Sequence, residues 1–179
     1  MRRLLLMVPL ALAACGSPAP EPVAVPSTVT SPEITALGAP GTDRQEHWPI
    51  LGQLHVTDYR IGEHEGFDRL VFDLEGEGEP GWFIEYTDEP LQQASGLPVD
   101  VEGTTALQVI IMGTPYPPEG EDVLLPAGRH PGGGVINHVT YASLFEANSE
   151  FVIGLNARHP YSVTFLEDPK RLVIDLVKR

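Results

Sequence analysis

A single cysteine, Cys15, stands among the 179 residues. That excludes an intrachain disulfide, a multi-cysteine zinc site and a CxxC redox pair. Basic residues are also scarce, with 11 Lys and Arg against 25 Asp and Glu and a formal charge of −14. A chain this acidic is repelled by nucleic acid and by anionic lipid headgroups, so no nucleic-acid partner is expected. Solubility is the plain use of the acidity, since no DxDxDG-type loop turns it to calcium. Catalytic signatures are broken or missing. His64-Glu65-Gly66-Phe67-Asp68 begins like HExxH but ends in Asp and contains Gly, which suits a surface turn better than a zinc helix. His130-Pro131-Gly132-Gly133-Gly134 echoes an oxyanion loop, with no GxSxG elbow to supply a nucleophile and no GKS/T ending for phosphate. His47, His55, His130, His138 and His159 show no ligand spacing, so neither metal nor cofactor is expected. A carboxylate pair for glycoside hydrolysis stays open, because separation in space decides it. No enzyme is expected, because nothing assembles a site.

What is present begins at the N-terminus. Arg2 and Arg3 precede an uncharged run, Leu4 to Ala14. It is shorter than the ~20 apolar residues of a spanning helix. It ends in Leu12-Ala13-Ala14-Cys15, which resembles the lipobox of bacterial lipoprotein signals. Small side chains admit the peptidase, and only a thiol takes a thioether-linked lipid. Residues 1–14 are therefore read as a leader and Cys15 as the lipidation site. Two acyl chains on that cysteine would hold stably where one holds marginally. The expected location is the extracytoplasmic face of the cell membrane, with the membrane as a partner through lipid alone. Residues 15–46 read as linker, with Pro18, Pro20, Pro22, Pro26, Pro32 and Pro40 among small and polar residues. Thirty such residues reach on the order of 90 Å extended, or about 30 Å as a coil.

Residues 47–179 read as one domain with one core. The hydrophobic period there is two. Leu70, Phe72 and Leu74 alternate with Arg69, Val71 and Asp73; Trp82, Ile84 and Tyr86 alternate with Phe83, Glu85 and Thr87. Shorter runs follow at Val99 and Val101, Leu107 to Ile111, Phe151 to Ile153, Tyr161 to Phe165 and Leu172 to Leu176. Gly- and Pro-rich stretches at 76–81, 113–120 and 127–134 separate them. The pattern predicts an all-β fold, a β-sandwich of two antiparallel sheets. The one helix candidate is short, over Tyr141 to Ala147. Gly154, inside an apolar run, predicts a bulge or a close backbone approach.

One stretch returns. Arg69-Leu70-Val71-Phe72-Asp73-Leu74 is echoed by Arg171-Leu172-Val173-Ile174-Asp175-Leu176, five identities in six. On strands, the Leu/Phe/Leu and Leu/Ile/Leu faces point to the core and Arg, Val and Asp point outward. Arg and Asp of one copy then stand about 13 Å apart, at ~3.3 Å per residue. That is too far for an ion pair within the strand, which leaves both charges for neighbouring strands or a ligand. Taken alone, the repeat is better accounted for as two similar core strands with solvated outer faces, since outer positions are commonly charged.

These hexapeptides resemble the paired strand motifs of the AMIN domain, a targeting module of cell-wall amidases and secretins. The stretch from about Leu54 to Arg179 is similar to the AMIN-like domain of actinobacterial lipoproteins. It shares Gly66-Phe67-Asp68-Arg69-Leu70-Val71-Phe72, Pro80-Gly81-Trp82, Phe145-Glu146-Ala147, Phe151-Val152-Ile153-Gly154-Leu155, Pro160-Tyr161 and Asp168-Pro169-Lys170-Arg171-Leu172-Val173-Ile174-Asp175. The resemblance implies a sandwich of two related sheets, no catalytic machinery and a role in binding or locating things at the cell wall. It implies that the repeated motifs face outward on the two sheets as contact surfaces, here Arg69, Val71 and Asp73 with Arg171, Val173 and Asp175. Trp82 or Tyr86 would stack on sugar rings if exposed, with core packing as the competing use and the favoured one for Trp82. The expected function is a non-catalytic module contacting peptidoglycan or wall-associated glycan. A protein-interaction module for another envelope protein is the alternative, and a small hydrolase a third.

Overall fold

Alternating side chains need a partner layer, and here two sheets supply it to each other. The computed structural model describes residues 34–48, 52–119 and 125–179. Residues 1–14, read as a leader, Cys15 and most of the proline-rich stretch lie outside the described residues. Among those described there is no helix. One sheet has six strands in the order β1 (Gln45–His47), β4 (Gly81–Thr87), β5 (Thr105–Met112), β8 (Asn148–Leu155), β7 (Ile136–Phe145) and β6 (Gly128–Gly133). The other has four, in the order β2 (Gln53–Glu63), β3 (Phe67–Glu77), β10 (Arg171–Val177) and β9 (Tyr161–Leu166). All pairings are antiparallel. The expected β-sandwich is the fold of this chain.

The inner faces close one core. Leu70, Phe72, Leu172 and Ile174 of the smaller sheet meet Ile84, Leu107, Val109, Phe151 and Ile153 of the larger. The rings of Phe72 and Phe151 lie 4.6 Å apart, and Tyr141 stacks on Phe151 at 4.6 Å. Burying each large apolar side chain contributes about 1.5–3 kcal/mol. Tyr161, fully buried, donates its hydroxyl to the carbonyls of Ile84 and Asp43, and burial raises its pKa well above the ordinary phenol value.

Several expectations change. The helix candidate over Tyr141 to Ala147 is the end of β7 and a tight turn. Glu146 and Ala147 both have positive φ, 48° and 59°, the signature of a two-residue type I′ hairpin loop. A register shift between Tyr141 and Ser143 puts Tyr141 and Leu144 on one face, three residues apart, and so imitates a helical period. Val99 and Val101 form no strand; they sit in the connection between β4 and β5 that crosses the outer face of the larger sheet. The stretch over 127–134, read as a turn, contains β6, an edge strand that tolerates Pro131. Gly154 is a close approach as predicted: a Cβ there would meet His138 Cε1 at 2.3 Å and the Glu102 carbonyl at 2.6 Å. The described part of the proline-rich stretch, from Ile34, is packed on the domain and contributes most of β1.

Candidate functional site

The two motif strands are neighbours in one sheet, not outward faces of two sheets as the resemblance implied. Antiparallel register sets Arg69 opposite Asp175, Val71 opposite Val173 and Asp73 opposite Arg171. An Arg-x-Val-x-Asp strand laid antiparallel on a copy of itself is charge-complementary about its central valine. Cross-strand pairing of this kind stabilises sheets, and it gives the repeat a structural reason.

The arginine-aspartate pairs are not equivalent. Arg69 holds Asp175 with both arms of its guanidinium, Nε to Oδ1 at 2.7 Å and Nη2 to Oδ2 at 2.8 Å. Asp175 is 1% exposed, and its hydrogen bonds raise the Arg69 pKa further. The Arg69 guanidinium also lies 5.1 Å from the centre of the Phe67 ring. The segment from Ile34 completes this end. The Leu37 N–H donates to Asp175 Oδ2 at 2.6 Å, and Arg69 Nη2 donates to the Thr35 carbonyl at 3.0 Å. Ser162 Oγ of β9 donates to the Leu37 carbonyl, and Gly41 exchanges two backbone bonds with Tyr161, at 2.9 and 2.7 Å. Residues 34–41 thus form a strap over β10 and β9.

At the other end Asp73 takes Arg60 of β2 instead of Arg171. That pair is open to solvent, with side chains 50% and 29% exposed. Arg171 Nε donates to the Pro169 carbonyl at 3.0 Å. Val71 and Val173, expected on an outward surface, are buried at the centre of the face. The charges of this face are therefore taken mainly by neighbouring strands and by the chain's own strap.

Trp82 and Tyr86 share the inner face of β4 with the fully buried Ile84 and pack against the core, both partly buried. Trp82 stacks on His47 with ring centres 4.5 Å apart. The Tyr86 hydroxyl donates to the His159 carbonyl at 2.6 Å and accepts from the His159 N–H at 2.9 Å. Burial pushes its pKa up to about 12. Neither ring is an exposed platform for sugar.

The remaining buried polar groups serve the frame. Asp68, fully buried, meets Lys178 Nζ at 2.7 Å and accepts from the Val135 N–H at 2.7 Å, which ties the β6–β7 turn to β3. Gly134 must be glycine there, because a Cβ would lie 2.0 Å from Asp68 Oδ2. Glu150, fully buried on the outer face of the larger sheet, accepts from the Gln93 N–H, Gln108 Nε2 and Ser143 Oγ and so anchors the β4–β5 connection. Buried carboxylates held this way act as structural ties. His138, packed on Gly154, is 2% exposed with no hydrogen-bond partner at either ring nitrogen. Burial lowers its pKa, the Arg129 charge adds to that, and Glu102 opposes it. Among the described residues no three His, Cys, Asp or Glu side chains gather as metal ligands.

An all-β sandwich whose paired motif strands lie at the middle of its smaller sheet is the class that the fold and this face define. The AMIN-like domain model matches residues 54–178, well over half of the chain, and the chain belongs to the AMIN-like family. That membership points to a non-catalytic module for binding or targeting at the cell envelope. No curated protein and no solved structure matches the chain. Sequence reasoning misses Trp48, which is 71% exposed. It precedes Pro49 and has no alternating neighbours, so periodicity gives no signal, and only its exposed indole marks it.

Proposed function

We propose that this protein is a lipid-anchored, non-catalytic module that contacts peptidoglycan or wall-associated glycan from the extracytoplasmic face of the cell membrane. The observation that carries the reading is membership of the AMIN-like family over residues 54–178. The Leu12-Ala13-Ala14-Cys15 sequence supports the anchor. Replacing Cys15 by Ser moves the protein from detergent to aqueous phase; an unmodified Cys15 in the mature native protein defeats the anchor.

The test of binding is co-sedimentation of the purified, folded protein with purified peptidoglycan at low salt. Binding is local and weak, because a protein of charge −14 meets an anionic wall. A protein partner in the envelope is the second reading. It is favoured by the apolar side chains that the β4–β5 connection exposes, Leu91 at 48% and Leu97 at 61%. Absence of co-sedimentation by folded protein moves that reading to the front.

A further inference from the structure

The outer face of the smaller sheet is committed to strap and cross-strand pairs, whereas the outer face of the larger sheet carries an open groove. Between β1, β4, β5 and β8 lies a groove of about 320 Å³, within the usual size of small-molecule sites. Register explains its floor. Glu46 pairs with Phe83, and Phe83 with Ile110, while Met112 pairs with Asn148 on the same outward face. Phe83, Ile110 and Met112 make the apolar base. Trp48 rises at one rim, two residues beyond Glu46 and so on the same side of the strand. Gln93, reaching over from the β4–β5 connection, and Asn148 stand among the lining residues as amides.

The lining selects its ligand by charge. Its one ionised group is the Glu46 carboxylate, and Arg44 stands 3.5 Å from it with its guanidinium over the Phe83 ring. The local charge is balanced, so neither an anion nor a cation is favoured. A purely apolar ligand would leave Gln93, Asn148 and Glu46 desolvated without partners, which opposes binding. A neutral sugar ring satisfies all of them. Its C–H face stacks on an indole, and its hydroxyl and acetamido groups both donate to and accept from amides. We propose that this groove, built on Trp48, Phe83, Gln93 and Asn148, binds a neutral N-acetylated pyranose of a glycan strand. Glu46 and Trp48 of the lining, and the Arg44 beside them, lie before residue 54, outside the family match, so this rim of the groove belongs to this chain and not to the shared domain. The proposal takes its source of sugar from the wall-binding reading, but its chemistry stands without it.

Oligomers of N-acetylglucosamine, titrated into the purified protein, test it through tryptophan fluorescence. The chain has two tryptophans, and Trp82→Phe isolates the Trp48 signal. The expected result is a saturable change in wild type and in Trp82→Phe. Trp48→Ala, at an exposed position, keeps the melting temperature and lowers oligomer affinity, read by calorimetry, by about tenfold. Gln93→Ala with Asn148→Ala weakens it as well. A folded wild-type protein that gives no saturable change overturns the groove. So does oligomer affinity unchanged in Trp48→Ala. Peptidoglycan co-sedimentation separates the two claims. Wall binding that Trp48→Ala leaves intact keeps the wall reading and removes the groove. Oligomer binding without wall binding keeps the groove and removes the wall reading.

Discussion

The two copies of the repeated hexapeptide differ at one position in six, yet their ends meet different fates. Arg69 forms a two-armed pair with an aspartate that is 1% exposed, while Arg171, opposite Asp73 in the register, loses that aspartate to Arg60. What separates them lies outside the repeat. The strap from Thr35 to Gly41 covers the Arg69 end and gives Asp175 a backbone donor, whereas β2 supplies a competing arginine at the other end. A nearly identical local sequence is thus a shared core contribution with a context-dependent outer face. Inward residues obey the alternation in both copies, and outward residues obey their neighbours.

The inward half of that comparison predicts the largest effect. Phe72 and Ile174 are both fully buried and occupy equivalent places in the two copies. Phe72→Ala and Ile174→Ala each destabilise the domain by about 2–5 kcal/mol. Urea unfolding monitored by circular dichroism measures both. A cost below about 1 kcal/mol at either site breaks the claim that both inner faces carry the core.

The outward half predicts asymmetry. Arg69→Ala leaves Asp175 buried with only the Leu37 N–H as donor among the described residues. Breaking a buried pair in this way costs about 3–5 kcal/mol. Arg69 is itself 20% exposed, which reduces the expected cost to about 2–3 kcal/mol. The sequence alone assigns this arginine an outer position, with its charge left for a neighbouring strand or a ligand. The outer position is correct, but the consequence follows from the strap, which no period reveals. A double-mutant cycle with Asp175→Ala reads the coupling, and a value near zero removes the pair as a source of stability.

How much was legible follows from the same logic. The strands that keep strict alternation, β3, β5, β9 and β10, stand out in the sequence because every second residue meets the opposite sheet. β2 and β7 do not, because bulges change their parity. In β2 the shift between Val56 and Asp58 moves the inward set from Leu54 and Val56 to Tyr59 and Ile61. In β7 two shifts do the same. β6, with Arg129, His130, Pro131 and glycines, is a strand only because β7 offers it a ladder. On the candidate face, identities and direction were readable: Arg69, Asp73, Arg171 and Asp175 do turn away from the core. Adjacency in one sheet was not, since pairing of residues about a hundred positions apart is a tertiary fact. Trp82 and Tyr86 fell on the core side that their alternation with Phe83 and Glu85 indicates, and Trp48 escaped for lack of any pattern.

The comparison extends to the other outer face through pH. The smaller sheet buries a carboxylate against a guanidinium, while the larger buries an imidazole, His138, close to the β4–β5 connection at Glu102. Its folded pKa lies below the 6.5 of a free imidazole because burial penalises the charged ring. The unfolded chain therefore binds more protons than the folded domain as pH falls below 6.5. Stability owed to the neutral ring is fully present above that value and is lost as pH falls toward the folded pKa. Melting temperatures of wild type and His138→Leu, compared from about pH 7.5 to 5, isolate this contribution from that of the carboxylates. Parallel curves would mean that His138 titrates alike in both states.

The smallest expected effect is the most informative about the repeat. Arg171→Ala removes a partly buried arginine whose side-chain bond is to the Pro169 carbonyl, and leaves Asp73 with Arg60. The expected cost is about 0.5 kcal/mol, the usual value for a substitution that orphans nothing. Its coupling to Asp73→Ala lies within about 0.5 kcal/mol of zero and shrinks further in high salt, because exposed charges are screened. The contrast with Arg69 then has one physical origin, burial of the aspartate under the strap. If Arg171→Ala instead costs as much as Arg69→Ala, the register alone sets the energy of both pairs, and the strap contributes nothing to the difference. Removing the strap's contact would then leave the Arg69–Asp175 coupling unchanged, whereas burial by the strap requires that coupling to fall to the Arg171 value.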